Sequence, residues 1–206
     1  AVLAVAQARA LPGSAVIPAV VAGYEVFLRL GRALYPATVV RGFQSTAVLG
    51  PVSAAAAVAN LVRLSPEAAG HAVAIGCTLG GGLKEALKAS ASQPIQVGRG
   101  CEGGILAAAM AESGLAGAGA IVEKGFLPAF AGTGDPGSIV AGLGTDFHIG
   151  ETYLKRHAGC RGNHAPVDAA LAIAEAHRLA PGEVRHVRVA VEDRKSTRLN
   201  SSHRLL

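Results

Sequence analysis

The chain has 206 residues, of which 50% are hydrophobic and only 4% aromatic, with no Trp. Such a length buries a sizeable core, as one domain or one domain plus part of another, and that core must be built from Ala, Val, Leu and Ile. The formal charge of +5 suggests acidic partners, but residues 193–206, with Arg194, Lys195, Arg198 and Arg204 against Asp193, supply +3 of it, so most of the apparent nucleic-acid signal goes with that tail.

The opening AVLAVAQARA has no basic leader and reads as the tail of a helix, not a signal peptide. From Ser14 to Leu34, Val16, Ile17, Val20, Val21, Tyr24, Phe27 and Leu28 recur at spacings of three and four. That pattern predicts a helix capped by Ser14 and ended by Tyr35-Pro36. Within it Glu25 and Arg29, four apart, read as a helix-surface pair of about 0.3 kcal/mol. No apolar run reaches the length of a membrane span; the best, Ala15 to Leu28, contains Pro18 and Glu25.

A loop holding Arg41, Gly42, Phe43 and Gln44 leads to a second helix, Thr46 to Leu64, whose Ala54–Ala57 run suits tight packing. Ser65-Pro66-Glu67 opens a third: a capping hydroxyl, a proline at the first helical position and an acid facing the dipole. It stops near Gly80-Gly81-Gly82. A polar loop through Lys84, Lys88, Gln93 and Gln96 precedes a fourth helix, Gly98 to Ser113, which Gly114 and Gly117 end; Ile121 to Lys124 adds a short turn.

From Asp135 the texture changes. Phe147 and Ile149, between Gly144 and Gly150, read as a short strand; His164 to Leu179 reads as a helix, and Val184, Val187, Val189 and Val191 as a second strand. The expected fold is therefore mainly α. A large multi-helical domain over residues 1–140 is followed by the start of a small α+β lid domain over 141–192. Asp193 to His203 resembles the in-frame translation of a sequencing-library adapter, so residues 193–206 are expected to be a non-native tail, with a genuine basic arm as the competing reading. Cys77, Cys101 and Cys160 form neither a disulfide framework nor a CxxC pair, which points to a cytoplasmic setting.

Several motifs are weighed against plainer readings. Gly132 to Gly137 spells GxGxxG, but Phe126-Leu127-Pro128 is a poor strand and Pro136 removes an amide, so a plain loop is expected. Gly80-Gly81-Gly82 ahead of Lys84 reads as a helix terminus or an anion cradle, and no GKS or GKT follows to make a phosphate loop. His71, on an apolar helix, reads as a satisfied core histidine.

The densest polar stretch is Tyr153 to Leu171. It holds Lys155, Arg156, His157, Cys160 and His164 directly before a helix start with Pro166 and Asp168. Cys160 and His164 have i, i+4 spacing, and His157 or His148 would make a third ligand. Gly159 and Gly162 break the helix such a metal site requires. Cys160 reads as a thiol packed beside a site, or as a nucleophile with His164 as its base. Lys155 and Arg156 fit a solvated face or a carboxylate site, since each buried carboxylate needs a charge-assisted partner.

Four pieces, AVVAGYEVFLRLGRAL, RGFQSTAVLGPVSAAAAVANLVRL, IQVGRGCEGGILAAAMAESGLAG and KRHAGCRGNHAPVDAAL with its trailing RHVRVAV, together resemble the MmgE/PrpD family. That family includes 2-methylcitrate dehydratase, cis-aconitate decarboxylase and iminodisuccinate epimerase. The resemblance covers nearly all of residues 1–192 in the family's order. It implies a large helical domain joined to a smaller α+β lid with the active site between them. It also implies a homodimer and chemistry on small di- or tricarboxylic acids without metal or cofactor. Members are longer than this chain, which is expected to be a truncated and inactive fragment that lacks an upstream Asp/His motif and most of the lid.

Residue by residue, Lys155 and His164 match the family's lysine and recurring histidine, and are the candidate catalytic pair. Gln44 stands where many members have a catalytic histidine, Gln93 where a lysine is common and Gln96 where a histidine is common. Arg99 follows Gly98 as in many relatives, and Cys160 sits at a position that is histidine in the decarboxylases. Gln44, Gln93, Gln96, Arg99 and Cys160 are the candidate substrate-binding set. Gln exchanges no proton near neutral pH, so proton transfer is left to Lys155, His164 or the upstream motif.

The expected function is a lyase-like enzyme that abstracts a proton next to a carboxylate, leading to dehydration or a related elimination. The alternatives are an isomerase or epimerase of a small carboxylic acid, and a non-catalytic carboxylate-binding or dimerisation homologue. The intact protein is expected to be a cytoplasmic homodimer with no nucleic-acid or membrane partner. The Gln44 loop, the Gln93 loop and Lys155 are expected to converge on one hollow.

Overall fold

Small residues decide how the first 151 residues pack. A computed structural model describes residues 1–88, 92–132 and 135–189, and the chain divides into two units, Ala1–Glu151 and Thr152–Leu206. In the first unit the central helix is α4 (Ser45–Leu61), with eleven of its seventeen residues buried. Apolar residues on nearly every face mark a helix surrounded by neighbours. Around it lie α2 (Gly13–Leu34), α5 (Pro66–Thr78) and α6 (Gln93–Glu112), with α1 (Val2–Ala8) and α3 (Ala37–Val40) completing the N-terminal part.

Each neighbour meets α4 through glycine. A Cβ at Gly104 of α6 would stand 2.3 Å from Ala54 Cβ and 2.7 Å from Ala55 N. One at Gly76 of α5 would lie 2.9 Å from Val52 Cα, and one at Gly23 of α2 2.9 Å from Ala57 Cβ. The helix backbones approach closely because no side chain intervenes. Two apolar clusters result: Val2, Val5, Ala19, Val58, Leu61, Ile75 and Ala107 are among the members of one. Leu30, Leu34, Val48, Val52, Cys77, Phe126 and Leu127 belong to the other. Burial in the second pushes the Cys77 thiol up to about 12, so it behaves as a small apolar residue.

Local chemistry sets the helix ends. Ser65 Oγ accepts the Ala68 N–H at 3.2 Å and Pro66 opens α5, as the sequence predicts. The Ser14 cap does not form, because α2 already starts at Gly13 after an extended Pro12. α4 is capped by the Gln44 side chain, which accepts from Ala47 N at 3.1 Å. α6 begins at Gln93, five residues before the expected Gly98, with Pro94 in its first turn. Gln93 and Gln96 are thus helical, and Lys84–Lys88 of the expected loop is a 3₁₀ turn.

Beyond α6, a π-helical turn at Val122–Phe126 runs into α7 (Leu127–Ala131), and α8 (Pro136–Val140) follows Asp135, whose side chain accepts from Gly137 N. The GxGxxG stretch includes residues 133 and 134, outside the described residues. The mainly α fold is as expected, but the strands are not. His148–Glu151 is a 3₁₀ turn where a strand through Phe147 and Ile149 is predicted, because the Ile149 N–H goes to Glu25 Oε1 at 2.9 Å. In the second unit α9 (His164–His177) ends at left-handed Arg178, and 184–189 has no regular structure; Val191 lies outside the described residues. Among those residues the one β contact is an isolated antiparallel bridge, Phe43 to Leu83.

The Glu25–Arg29 pair also departs from its surface reading. Both residues are buried, 6% and 4% exposed, with Arg29 Nε donating to Glu25 Oε2 at 3.2 Å. The remaining guanidinium nitrogens donate to the carbonyls of Ile139 (3.0 Å), Ala141 (2.7 Å) and Asp146 (2.7 Å). The pair therefore fastens the segment from Ile139 to Ile149 onto α2. Burial alone would raise the Glu25 carboxyl. Hydrogen bonds from the Ile149 and His148 backbone and from Arg29 outweigh it, and hold the carboxyl below its usual range. At 22 residues α2 is also long and apolar enough to cross a membrane by length and composition, which corrects the expectation that no run reaches that length.

Two outcomes follow from this packing. Gly104→Ala is expected to destabilise the chain by about 1–3 kcal/mol through overpacking. Gly98→Ala, with nothing within 4 Å of its Cβ, is expected to be neutral or to gain up to about 1 kcal/mol of helix propensity; urea unfolding compares the two. Glu25→Gln leaves Arg29 without its counter-charge and is expected to cost about 3–5 kcal/mol at pH 7. A depressed carboxyl contributes stability at neutral pH and loses it as pH falls below the usual carboxylate range. Wild type and variant should therefore converge on acidification, and a gap that is constant from pH 7 to pH 3 would contradict this role.

Candidate functional site

Two of the glutamines assigned from sequence, Gln44 and Gln96, gather on one turn of the first unit. Phe43 pairs with Leu83, Gln44 N–H donates to Gly82 O at 3.0 Å and Lys84 N–H to Gly42 O at 2.8 Å. From α6, Gln96 Nε2 donates to Leu83 O at 3.3 Å. Gly82 sits between the two helices. A Cβ there would lie 2.2 Å from Gln96 Oε1 and 2.5 Å from Ala47 Cβ, and its φ of +143° suits glycine. Gln44 and Gln96 thus hold the same short segment from opposite sides.

Their polar atoms are partly spent on the fold. Gln44 Oε1 caps α4, and Gln96 Nε2 secures Leu83. Gln96 Oε1 is buried without a hydrogen-bond partner among the described residues, which leaves one acceptor unused at this turn. Gln93 is exposed one helical turn before Gln96, and Arg99 is exposed one turn after it, paired with Glu102. Glutamines and an arginine there can orient a carboxylate by hydrogen bonds, but supply no titrating group near neutral pH.

Lys155, Cys160 and His164 belong to the second unit. Lys155 and Cys160 are exposed, and Cys160 immediately precedes a 3₁₀ turn at Arg161–Asn163. His164 is the first residue of α9 and its Nε2 is buried with no partner among the described residues. Its ring meets His157 edge to face, with centroids 5.2 Å apart. His157 Nε2 lies 2.8 Å from Asp168 Oδ1, and Arg156 Nη1 3.9 Å from the same oxygen. The hydrogen bond to His157 holds the Asp168 carboxyl below its usual range, helped by the charges of His157, Arg156 and His164. Arg161 stacks over the Tyr153 ring at 4.4 Å.

Sequence reading passes over the His157–Asp168 contact, although the spacing of Asp168 four residues after His164 on a predicted helix is a usable signal. No group of three metal-ligating side chains occurs among the described residues. His71 Nδ1 accepts the Gly117 N–H at 3.2 Å and is satisfied within the fold.

Two hollows of the first unit lie elsewhere. One of about 430 Å³ is lined by Phe27, Leu28, Gly31, Tyr35, Leu49 and Arg32, among others. Its cation is already engaged, because Arg32 pairs with Glu151 and contacts His148 Nδ1 at 2.8 Å. Another, of about 280 Å³, lies among α1, α4 and α6 beside the Arg9–Glu112 ion pair. Neither is lined by a residue assigned from sequence, and neither offers a carboxylate an unpaired cation.

Comparison with known proteins adds a lineage to this geometry. The MmgE/PrpD N-terminal domain matches residues 1–138. A cis-aconitate decarboxylase of Aspergillus terreus is 31% identical over 173 residues, covering 79% of this chain and 35% of that protein. Cis-aconitate decarboxylase-like protein oryM of Aspergillus oryzae is 32% identical over 161 residues, covering 73% of this chain and 33% of that protein. The chain thus spans about a third of the length of the curated relatives it matches.

Proposed function

The chain belongs to the MmgE/PrpD family, and on that premise we propose that the intact protein is a lyase acting on a small di- or tricarboxylic acid by removing a proton next to a carboxylate. The observation that carries this reading is the cluster around His164. An imidazole nitrogen without a hydrogen-bond partner among the described residues lies in the unit that also carries Lys155 and Arg156, on a chain whose relatives are named as decarboxylases of a tricarboxylic acid. In the proposed step neutral His164 takes the proton, and the C–H electron pair becomes the carbon–carbon double bond. The leaving hydroxyl departs as water after gaining a proton from an acid. Lys155 stabilises the enediolate-like charge that builds on the carboxylate. Cys160 orients the substrate beside Lys155 and His164 in the second unit; in the first unit, Gln93, Gln96 and Arg99 are proposed as carboxylate-binding side chains, and Gln44 holds the turn on which Gln96 rests. Homodimeric assembly, a cytoplasmic location and catalysis by side chains alone belong to the same proposal.

A second reading has an observation in its favour. Gln44 and Gln96 use their side chains to cap α4 and to hold Leu83, as suits a homologue that binds carboxylates without turning them over. Mutation separates the two. In the protein expressed from its complete reading frame, Lys155→Ala is expected to lower turnover of the preferred acid by roughly a hundredfold or more, measured by the absorbance of the unsaturated product. Full turnover in that variant would remove Lys155 from the mechanism.

A further inference from the structure

Asp168 and His157 are left unused by the roles given to Lys155 and His164, yet they are hydrogen-bonded to each other beside His164. A carboxylate accepts only, so at 2.8 Å the proton lies on His157 Nε2. Asp168 follows His164 by four residues in α9, which puts both on one face of the helix. His157, reaching in from the preceding segment, touches both at once, by hydrogen bond to Asp168 and by ring edge to His164. Arg156 lies against the same carboxylate, and Arg161 is occupied by Tyr153. These are the charged groups that the structure records around the pair.

We infer that Asp168 and His157 are positioning residues for His164. The carboxylate locks His157 as its Nε2–H form, and the locked ring fixes the His164 imidazole with Nε2 free to exchange a proton with a carboxylic acid. The inference rests on the reading of His164 as acid or base. When His164 gains a proton, the Asp168 charge one turn along the helix stabilises the imidazolium, as a carboxylate–imidazole pair does in other proton-transfer sites. An acid that serves only the helix dipole would need no imidazole between it and His164.

Histidine-labelled chain tests this directly by long-range proton–nitrogen NMR. His157 is expected as a single Nε2–H tautomer, and His164 as one fixed tautomer with Nε2 unprotonated. In Asp168→Asn both rings are expected to average between tautomers. His157→Phe, which keeps an aromatic ring against His164, is expected to raise the pH at which the Asp168 carboxyl titrates. In the protein from the complete reading frame, Asp168→Asn is expected to lower kcat by about tenfold or more with KM changed less than about twofold, and Asp168→Glu to recover part of the loss. A His164 spectrum and kcat that are both indifferent to Asp168→Asn would overturn the inference. If the wild-type protein turns over no carboxylic acid, the reading of His164 as acid or base fails separately, and the His164 spectrum alone then decides the positioning role.

Discussion

The close approach of three helices to α4 is the constraint on which the first unit depends. Alanine and glycine at the crossings remove the side chains that would hold the helices apart, so dispersion contacts form along whole backbones. The same approach builds the turn at Gly82. With α6 drawn against α4, Gln96 reaches Leu83 from one side while Gln44, capping α4, donates its N–H to the Gly82 carbonyl from the other. A side chain at Gly82 would displace one of them. Packing economy and site geometry are therefore consequences of one sequence habit, small residues at helix contacts.

The buried Glu25–Arg29 pair plays a different part. It contributes little as an isolated attraction, because desolvating two charges offsets most of their Coulomb energy. Its worth lies in the partners it recruits. Arg29 gathers carbonyls from Ile139 to Asp146, and Glu25 takes the Ile149 amide. A segment whose side chains are mostly exposed is thereby given a fixed course at the end of the first unit, where Arg32, His148 and Glu151 add a second polar fastening.

The helices were legible in the sequence because their signals are local. Ser65-Pro66-Glu67 carries its own cap, and the Ala-rich run of α4 announces tight packing. What depends on distant partners was not. Glu25 and Arg29 have the spacing of a surface pair, and only the carbonyls of Ile139 to Asp146 turn them inward. Phe147 and Ile149 alternate like a strand, but Glu25 takes the amide that a strand partner would need. α6 starts early because Pro94 and the glycines after it are tolerated where the backbone meets α4, a cost that helix propensity alone counts against it. At the candidate site, Lys155 and His164 stood out by density of polar groups, and Gln44 and Gln96 by kinship. The His157–Asp168 contact needed the fold of the loop before α9.

Membership of the MmgE/PrpD family and the polar cluster before α9 meet in one chemical expectation, removal of a proton from carbon beside a carboxylate. Proton NMR in deuterated buffer tests it most directly, with the protein from the complete reading frame and a panel of small di- and tricarboxylic acids. The account predicts, for at least one acid, an unsaturated product or deuterium entering at the carbon next to a carboxylate. Acids that bind yet keep every carbon-bound proton, with no product formed, would contradict it and leave a carboxylate-binding homologue in its place.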